Sequence, residues 1–254
     1  MLKTLPATAE RIQQELALQA TKGFAAPEVE RVYARARELC QQIGETPQLF
    51  QMLWGLWAFY IVRAENKVAH ELGEQLLTLA QGVRDPAFLL QAHYSLGVTL
   101  MNLGQFPLAR GHFEQSLALY DPQQHRLQAL LYGAFDPKIA ALSVSALVLW
   151  MLGYPDQALT KSQEALVLAR ELSHPSSLAQ ALVWGAWLHQ YRREGQEAQE
   201  QAEAALALST DHGFALWLTM ATIFRGWALA EQGQGAEGIA QLHQGLTAQR
   251  ANEF

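Results

Sequence analysis

Cysteine is almost absent from this 254-residue chain, and the single copy, Cys40, excludes a disulfide framework and every Cys-rich zinc module. Positive charge is also scarce. Eighteen Lys and Arg stand against 24 Asp and Glu, a formal net charge of −6, whereas binding phosphate backbones needs clustered cations. Two long uncharged stretches, Ile139 to Pro155 and Pro175 to Tyr191, contain Ser, Gly, Pro or Gln and fall short of the ~20 apolar residues that cross a bilayer. They read as buried helices. Met1-Leu-Lys-Thr-Leu-Pro6 offers no continuous apolar segment of the secretory type. Asn-Gly and Asp-Gly hairpin signals are missing and β-branched residues are sparse, which removes the usual marks of a β protein. These absences leave a cytoplasmic, all-α protein as the expectation.

What is present is a repeat. Glu164-Ala-Leu-Val-Leu-Ala169 superposes on Ala204-Ala-Leu-Ala-Leu-Ser209 at an offset of 40, and a third copy ends near Gln244-Gly-Leu246. One leucine recurs at Leu39, Leu77, Leu117, Leu166, Leu206 and Leu246, with gaps of 38, 40, 49, 40 and 40. The long gap holds the polar segment Tyr120-Asp-Pro-Gln-Gln-His-Arg126, which reads as an inserted loop or extra turn. Helix punctuation follows the same period. Starts are marked by Thr46-Pro47, Asp85-Pro86, Asp136-Pro137, Tyr154-Pro155 and His174-Pro175, and stops by Gly44, Gly104, Gly153, Gly195 and Gly233. Between them small and apolar residues such as Ala158, Ser162, Ala165, Leu166 and Ala169 form one helical stripe.

Two helices in each period, repeated about six times, predict a single right-handed superhelical solenoid. Its hairpins are expected at 6–44, 46–82, 85–120, 136–172, 174–212 and 213–250, with an insertion at 121–135. The chain stops at Phe254 soon after the helix of Leu242 and Leu246, without a polar capping helix. That end predicts a piece of a longer protein, or a last repeat covered by a partner or a second copy of the chain.

The third period, Leu96-Gly97, Gly104-Gln-Phe-Pro-Leu-Ala109, Phe113 and Ser116-Leu117, resembles the tetratricopeptide repeat. The fourth keeps Gly153, Ala158 and Ala165-Leu166 but has Ala146 in place of Gly and Ser162 in place of an aromatic. The periods exceed the standard ~34 residues. Four further stretches are similar to the C-terminal tetratricopeptide region of large bacterial signalling proteins that carry a class III adenylate or guanylate cyclase and an AAA-like or STAND-type ATPase. They are Leu131-Tyr-Gly with Asp136-Pro, Leu152-Gly-Tyr-Pro-Asp-Gln-Ala-Leu159, Ala186-Trp-Leu-His-Gln190 with Arg192-Arg-Glu194, and Arg225-Gly-Trp-Ala-Leu-Ala-Glu-Gln-Gly233. Gly133-Ala-Phe-Asp136-Pro-Lys-Ile139 departs from the shorter Gly-x-Asp-Pro-Gly-Val of that family. The resemblance implies a regulatory interaction segment, with any cyclase or ATPase chemistry lying N-terminal to Met1.

The residues of this chain carry no such chemistry. No Gly-rich loop precedes Lys3, Lys22, Lys67, Lys138 or Lys161, so there is no phosphate cradle. The histidines at 70, 93, 112, 125, 174, 189, 212 and 243 form no His-x-x-x-His or His-Glu-x-x-His pattern, and they read as caps or packing residues. Cys40, near Arg35 and Arg37, lacks a histidine partner and reads as a packing residue. The short runs Arg192-Arg193-Glu194 and Arg31, Arg35, Arg37 read as solvated faces. The expectation is no catalysis, no cofactor and no metal.

Seven tryptophans remain: Trp54, Trp57, Trp150, Trp184, Trp187, Trp217 and Trp227, all assigned to the first helix of a pair. The resemblance implies that this helix lines a concave groove. Transferring the register at 40-residue offsets puts Gln91, Tyr94, Val98, Met101, Leu147, Trp150, Trp187, Gln190, Ile223 and Trp227 there. Trp54, Trp184 and Trp217 are assigned to the core. Aromatic and Met anchors with a few amides suit a protein or peptide partner. Two readings compete with it: tryptophans that only pack between helices, and a standalone sensor holding a small apolar ligand among them.

Overall fold

A computed structural model of the chain describes residues 46–122 and 135–251. Ten α-helices and no strand occur among the described residues: α1 (Thr46–Val62), α2 (Asn66–Val83), α3 (Pro86–Asn102), α4 (Phe106–Ala118), α5 (Pro137–Met151), α6 (Pro155–Glu171), α7 (Pro175–Tyr191), α8 (Gly195–His212), α9 (Ala215–Glu231) and α10 (Gly235–Ala251). They form five successive hairpins. The expected first hairpin at 6–44, with Cys40 and the Arg31–Arg37 run, and most of the 121–135 insertion lie outside the described residues.

The ends of these helices are set by local chemistry. Proline opens α3, α5, α6 and α7, where its missing N–H would have no partner in any case. Side chains cap three of those starts. The Asp85 carboxylate accepts from the Ala87 N–H at 2.8 Å, and Asp136 accepts from Lys138 and Ile139 at 2.9 and 3.2 Å. His174 Nδ1 accepts from the Ser177 N–H at 3.3 Å. Between the two helices of every described hairpin one residue takes the left-handed conformation: Ala64, Gly104, Gly153, Arg193 and Gly233, spaced like the repeat itself. Gly195, expected as a stop, instead begins α8. The reversal there is made by Arg193 at φ 60°, a position that sequence composition alone would assign to glycine.

Packing is local along the chain. Each helix packs on its chain neighbours, and the first helix of a hairpin also packs on the first helix of the next. This is the one-dimensional contact pattern of a solenoid. Close approach depends on small residues. A Cβ on Gly226 would lie 2.8 Å from the Gly238 carbonyl oxygen and the Leu242 nitrogen, so α9 and α10 meet backbone to backbone.

The apolar interior runs as a strip beneath the first helices. Phe50 stacks on Phe88 at 4.3 Å, and Trp57 meets the edge of Tyr94, which meets Phe113. The Trp57 indole donates to the Thr99 hydroxyl at 2.9 Å, which donates to the Ser95 carbonyl, so these polar atoms of the aromatic core are satisfied. α5 is buried on nearly all sides, as its uniformly apolar sequence requires. No described helix is long and apolar enough to cross a membrane.

Candidate functional site

All seven tryptophans sit on the first helix of a hairpin. The ten groove candidates divide into two sets. Gln91, Tyr94, Val98 and Leu147 are buried, while Met101, Trp150, Trp187, Gln190, Ile223 and Trp227 are half-buried. Tyr94 and Val98 belong to the interior that joins α1 to α5, where burial pushes the Tyr94 phenol well above its usual pKa. Ile223 borders α10, where a Cβ on Gly245 would meet its side chain.

Three other candidates converge with Leu147. Met101 of α3, Trp150 of α5 and Trp187 of α7 gather around Ala146, Leu147, Leu149 and Leu188, together with Trp184 and Tyr191. Trp184 and Trp187 stack with centroids 5.2 Å apart, and Trp187 also reaches Tyr191 at 6.0 Å and Phe224 of α9 at 5.6 Å. The result is an aromatic patch shared by four successive hairpins. Trp184 and Trp217, assigned to the core, are half-buried and packed against it, Trp184 on the α1–α5 interior and within this patch, Trp217 on the neighbouring cluster of α5 to α9. Trp54 is in the interior.

One side of the patch is fixed electrostatically. The Arg192 guanidinium lies 5.8 Å from the Trp150 ring centre, a cation–π contact. Arg192 also donates two hydrogen bonds to Glu194, at 2.8 and 2.7 Å, and His189 Nδ1 lies 2.6 Å from the same carboxylate. Hydrogen bonding from Arg192, then from His189, holds the Glu194 carboxyl below its usual pKa. The network locks the α7–α8 turn and orients Arg192.

Three buried polar atoms on these first helices have no hydrogen-bond partner: Gln91 Nε2 on α3, and Gln180 Oε1 and Trp184 Nε1 one turn apart on α7. One acceptor and one donor at i and i+4 share a helix face, both buried within the protein.

A second surface is the outer face of α10. Leu246 is 44% exposed and Ile239 54% exposed. The repeat counterparts of Leu246, namely Leu77, Leu117, Leu166 and Leu206, are packed into the apolar clusters between hairpins.

Histidines account for the clearest finding that the sequence patterns did not signal. His174 is a helix cap, as expected, but His93 and His112 face each other across the α3–α4 hairpin with Nδ1 atoms 3.0 Å apart. Nineteen residues separate them, and only the hairpin unites them. Among the described residues no group of three or more His, Cys, Asp or Glu converges as a metal site.

Comparison with known proteins agrees with this architecture. The chain superposes on BtubC (BKLC) from P. vanneervenii with a TM-score of 0.60 and 18% identity, covering 94% of this chain and 91% of that one. It superposes on a substituted form of a Podosopora anserina putative kinesin light chain with nearly identical TPR-like repeats, with a TM-score of 0.53 and 19% identity, covering 82% and 98%. In sequence it is 23% identical over 229 residues to an uncharacterized protein of Rhizobium meliloti (strain 1021), matching 89% of this chain and 22% of the relative. The chain therefore spans about a fifth of that relative's length. No family model matches. The class defined by fold and neighbours is an all-α, TPR-like helical-repeat protein.

Proposed function

We propose that the chain is a non-catalytic scaffold that docks a peptide or helix on the aromatic patch of α3, α5 and α7. The observation that carries this reading is the convergence of Met101, Trp150, Trp184, Trp187 and Tyr191 from successive hairpins on one half-buried surface. Large rigid groups gain contact area at low entropic cost, and such residues dominate binding energy at interfaces. Gln190 and Trp227 extend the surface along the register, and the buried Leu147 packs beneath it.

On this reading the chain serves as a regulatory segment of a longer cytoplasmic signalling protein with cyclase and ATPase domains. The four sequence stretches similar to such proteins support it, as does a relative several times longer than the chain. The exposed Ile239 and Leu246 face takes a second copy of the chain, since the equivalents of Leu246 elsewhere are covered by another hairpin.

The test is selection of a displayed peptide library on the folded chain, repeated on a Trp150→Ala, Trp187→Ala double variant. Enriched peptides that bind the parent and lose ~10-fold or more on the variant support the patch. Peptides that bind both equally overturn it. Immunodetection of the intact product in its source cells separates a segment of a signalling protein from a standalone adaptor.

A further inference from the structure

His93 and His112 are not explained by the packing of the repeat. Applying the offsets of 49, 40 and 40 places Leu142 and Lys161, Leu182 and Gln201, then Thr222 and Gln241 at the corresponding positions. Leu142 and Leu182 are buried, so an apolar residue satisfies the first position in two hairpins of the same design. Among the described hairpins one alone places two imidazoles there. Their rings are 5.2 Å apart and inclined at 44°, and both residues are half-buried.

The geometry points to a bidentate site in which His93 Nδ1 and His112 Nδ1 clamp one divalent transition-metal ion of right-angled geometry, Cu2+ or Ni2+. The two Nδ1 atoms share a hydrogen bond at 3.0 Å; once the donor ring's proton moves to its Nε2, an ion about 2.0–2.1 Å from both nitrogens at that separation subtends an angle of about 94°. That is the cis angle of square-planar or octahedral coordination. A tetrahedral zinc site would need the nitrogens about 3.3 Å apart. No third protein ligand converges among the described residues, so water fills the remaining positions and the ion is exchangeable. Copper binds tightest in such a nitrogen site.

The two imidazoles share a half-buried setting. Burial lowers the pKa of both imidazoles, and the charge of His112 lowers that of His93 further. On His112, Glu74 of α2 pulls upward and His70 of α2 pulls downward, and neither overcomes burial.

The experiment titrates Cu2+ into untagged protein at pH 7, followed by calorimetry and electron paramagnetic resonance. One ion per chain with hyperfine structure from two imidazole nitrogens is expected. His112→Gln and His93→Leu should each weaken that site by ~10-fold or more, whereas His243→Gln at an exposed position should not. His93→Leu copies the residue used by two other hairpins, and an unchanged helical circular dichroism spectrum confirms that it folds. Binding unchanged in either pair variant, or copper signals lost equally in His243→Gln, overturns the site. So does a spectrum with fewer than two nitrogens.

Discussion

Asp136 offers the sharpest test of how the hairpins are joined. It is 3% exposed, and its carboxylate both caps a helix and ties in a neighbouring one. Oδ1 accepts from the Lys138 and Ile139 N–H groups, which caps α5, and Oδ2 accepts from the Tyr120 hydroxyl at 2.7 Å. Its own N–H donates to the Ser177 hydroxyl on α7 at 2.7 Å, a bond that substitution of the side chain leaves in place. Asp136→Ala removes an N-cap, costing about 1 kcal/mol. It also removes a charge-assisted hydrogen bond, worth about 1.5–3 kcal/mol. The expected loss is about 2–4 kcal/mol. Asp85→Ala is the matched control, because that carboxylate caps α3 through the Ala87 N–H and is half-buried. It should lose only ~1 kcal/mol. Urea unfolding read by helical circular dichroism measures both, and exchange of amides in α5 and α7 shows whether the loss is local to that junction. An Asp136→Ala loss no greater than that of Asp85→Ala would refute the argument that one carboxylate ties the end of α4 to the start of α5.

Four further outcomes follow from the same structure. Ala64→Gly relieves a left-handed non-glycine residue, about 1–2 kcal/mol, against ~0.4–1 kcal/mol of added unfolded-state freedom, so a modest rise in urea midpoint is expected. Gly226→Ala should destabilise by about 1–3 kcal/mol through a clash with the α10 backbone, whereas Gly82→Ala, with nothing near its Cβ, should stabilise by ~0.5–1 kcal/mol; equal effects would contradict the close approach. The His93 and His112 pKa values are lowered on folding, so the unfolded chain binds more protons just below pH 6.5. The metal-free protein should lose stability as pH falls from about 6.5 to the folded values, and His93→Leu should flatten that segment of a pH–stability profile. Glu194 is lowered on folding too, so its contribution is complete above about pH 4.5 and disappears as pH falls through the folded value; Glu194→Gln should abolish that acid-side dependence.

The arrangement of the helices was legible in the chain because its signals are local and repeat at fixed spacing. Prolines, capping aspartates and a recurring leucine each act within a turn or two of backbone, so the period of about 40, lengthened once to 49, specifies hairpins before any contact is known. Arg193 shows the limit of that reading, since composition pointed to Gly195 while the left-handed residue lies two positions earlier. The aromatic patch was only partly legible. Register placed every tryptophan on a first helix, but neighbour packing decided that Tyr94 and Val98 sink into the interior while Trp150 and Trp187 meet Trp184 in a half-buried patch. The His93–His112 pair belongs wholly to tertiary structure. Its two side chains become neighbours only when α4 folds back on α3, and a rigid hairpin, unlike a sequence motif, sets two nitrogens 3.0 Å apart without leaving any regular spacing in the chain.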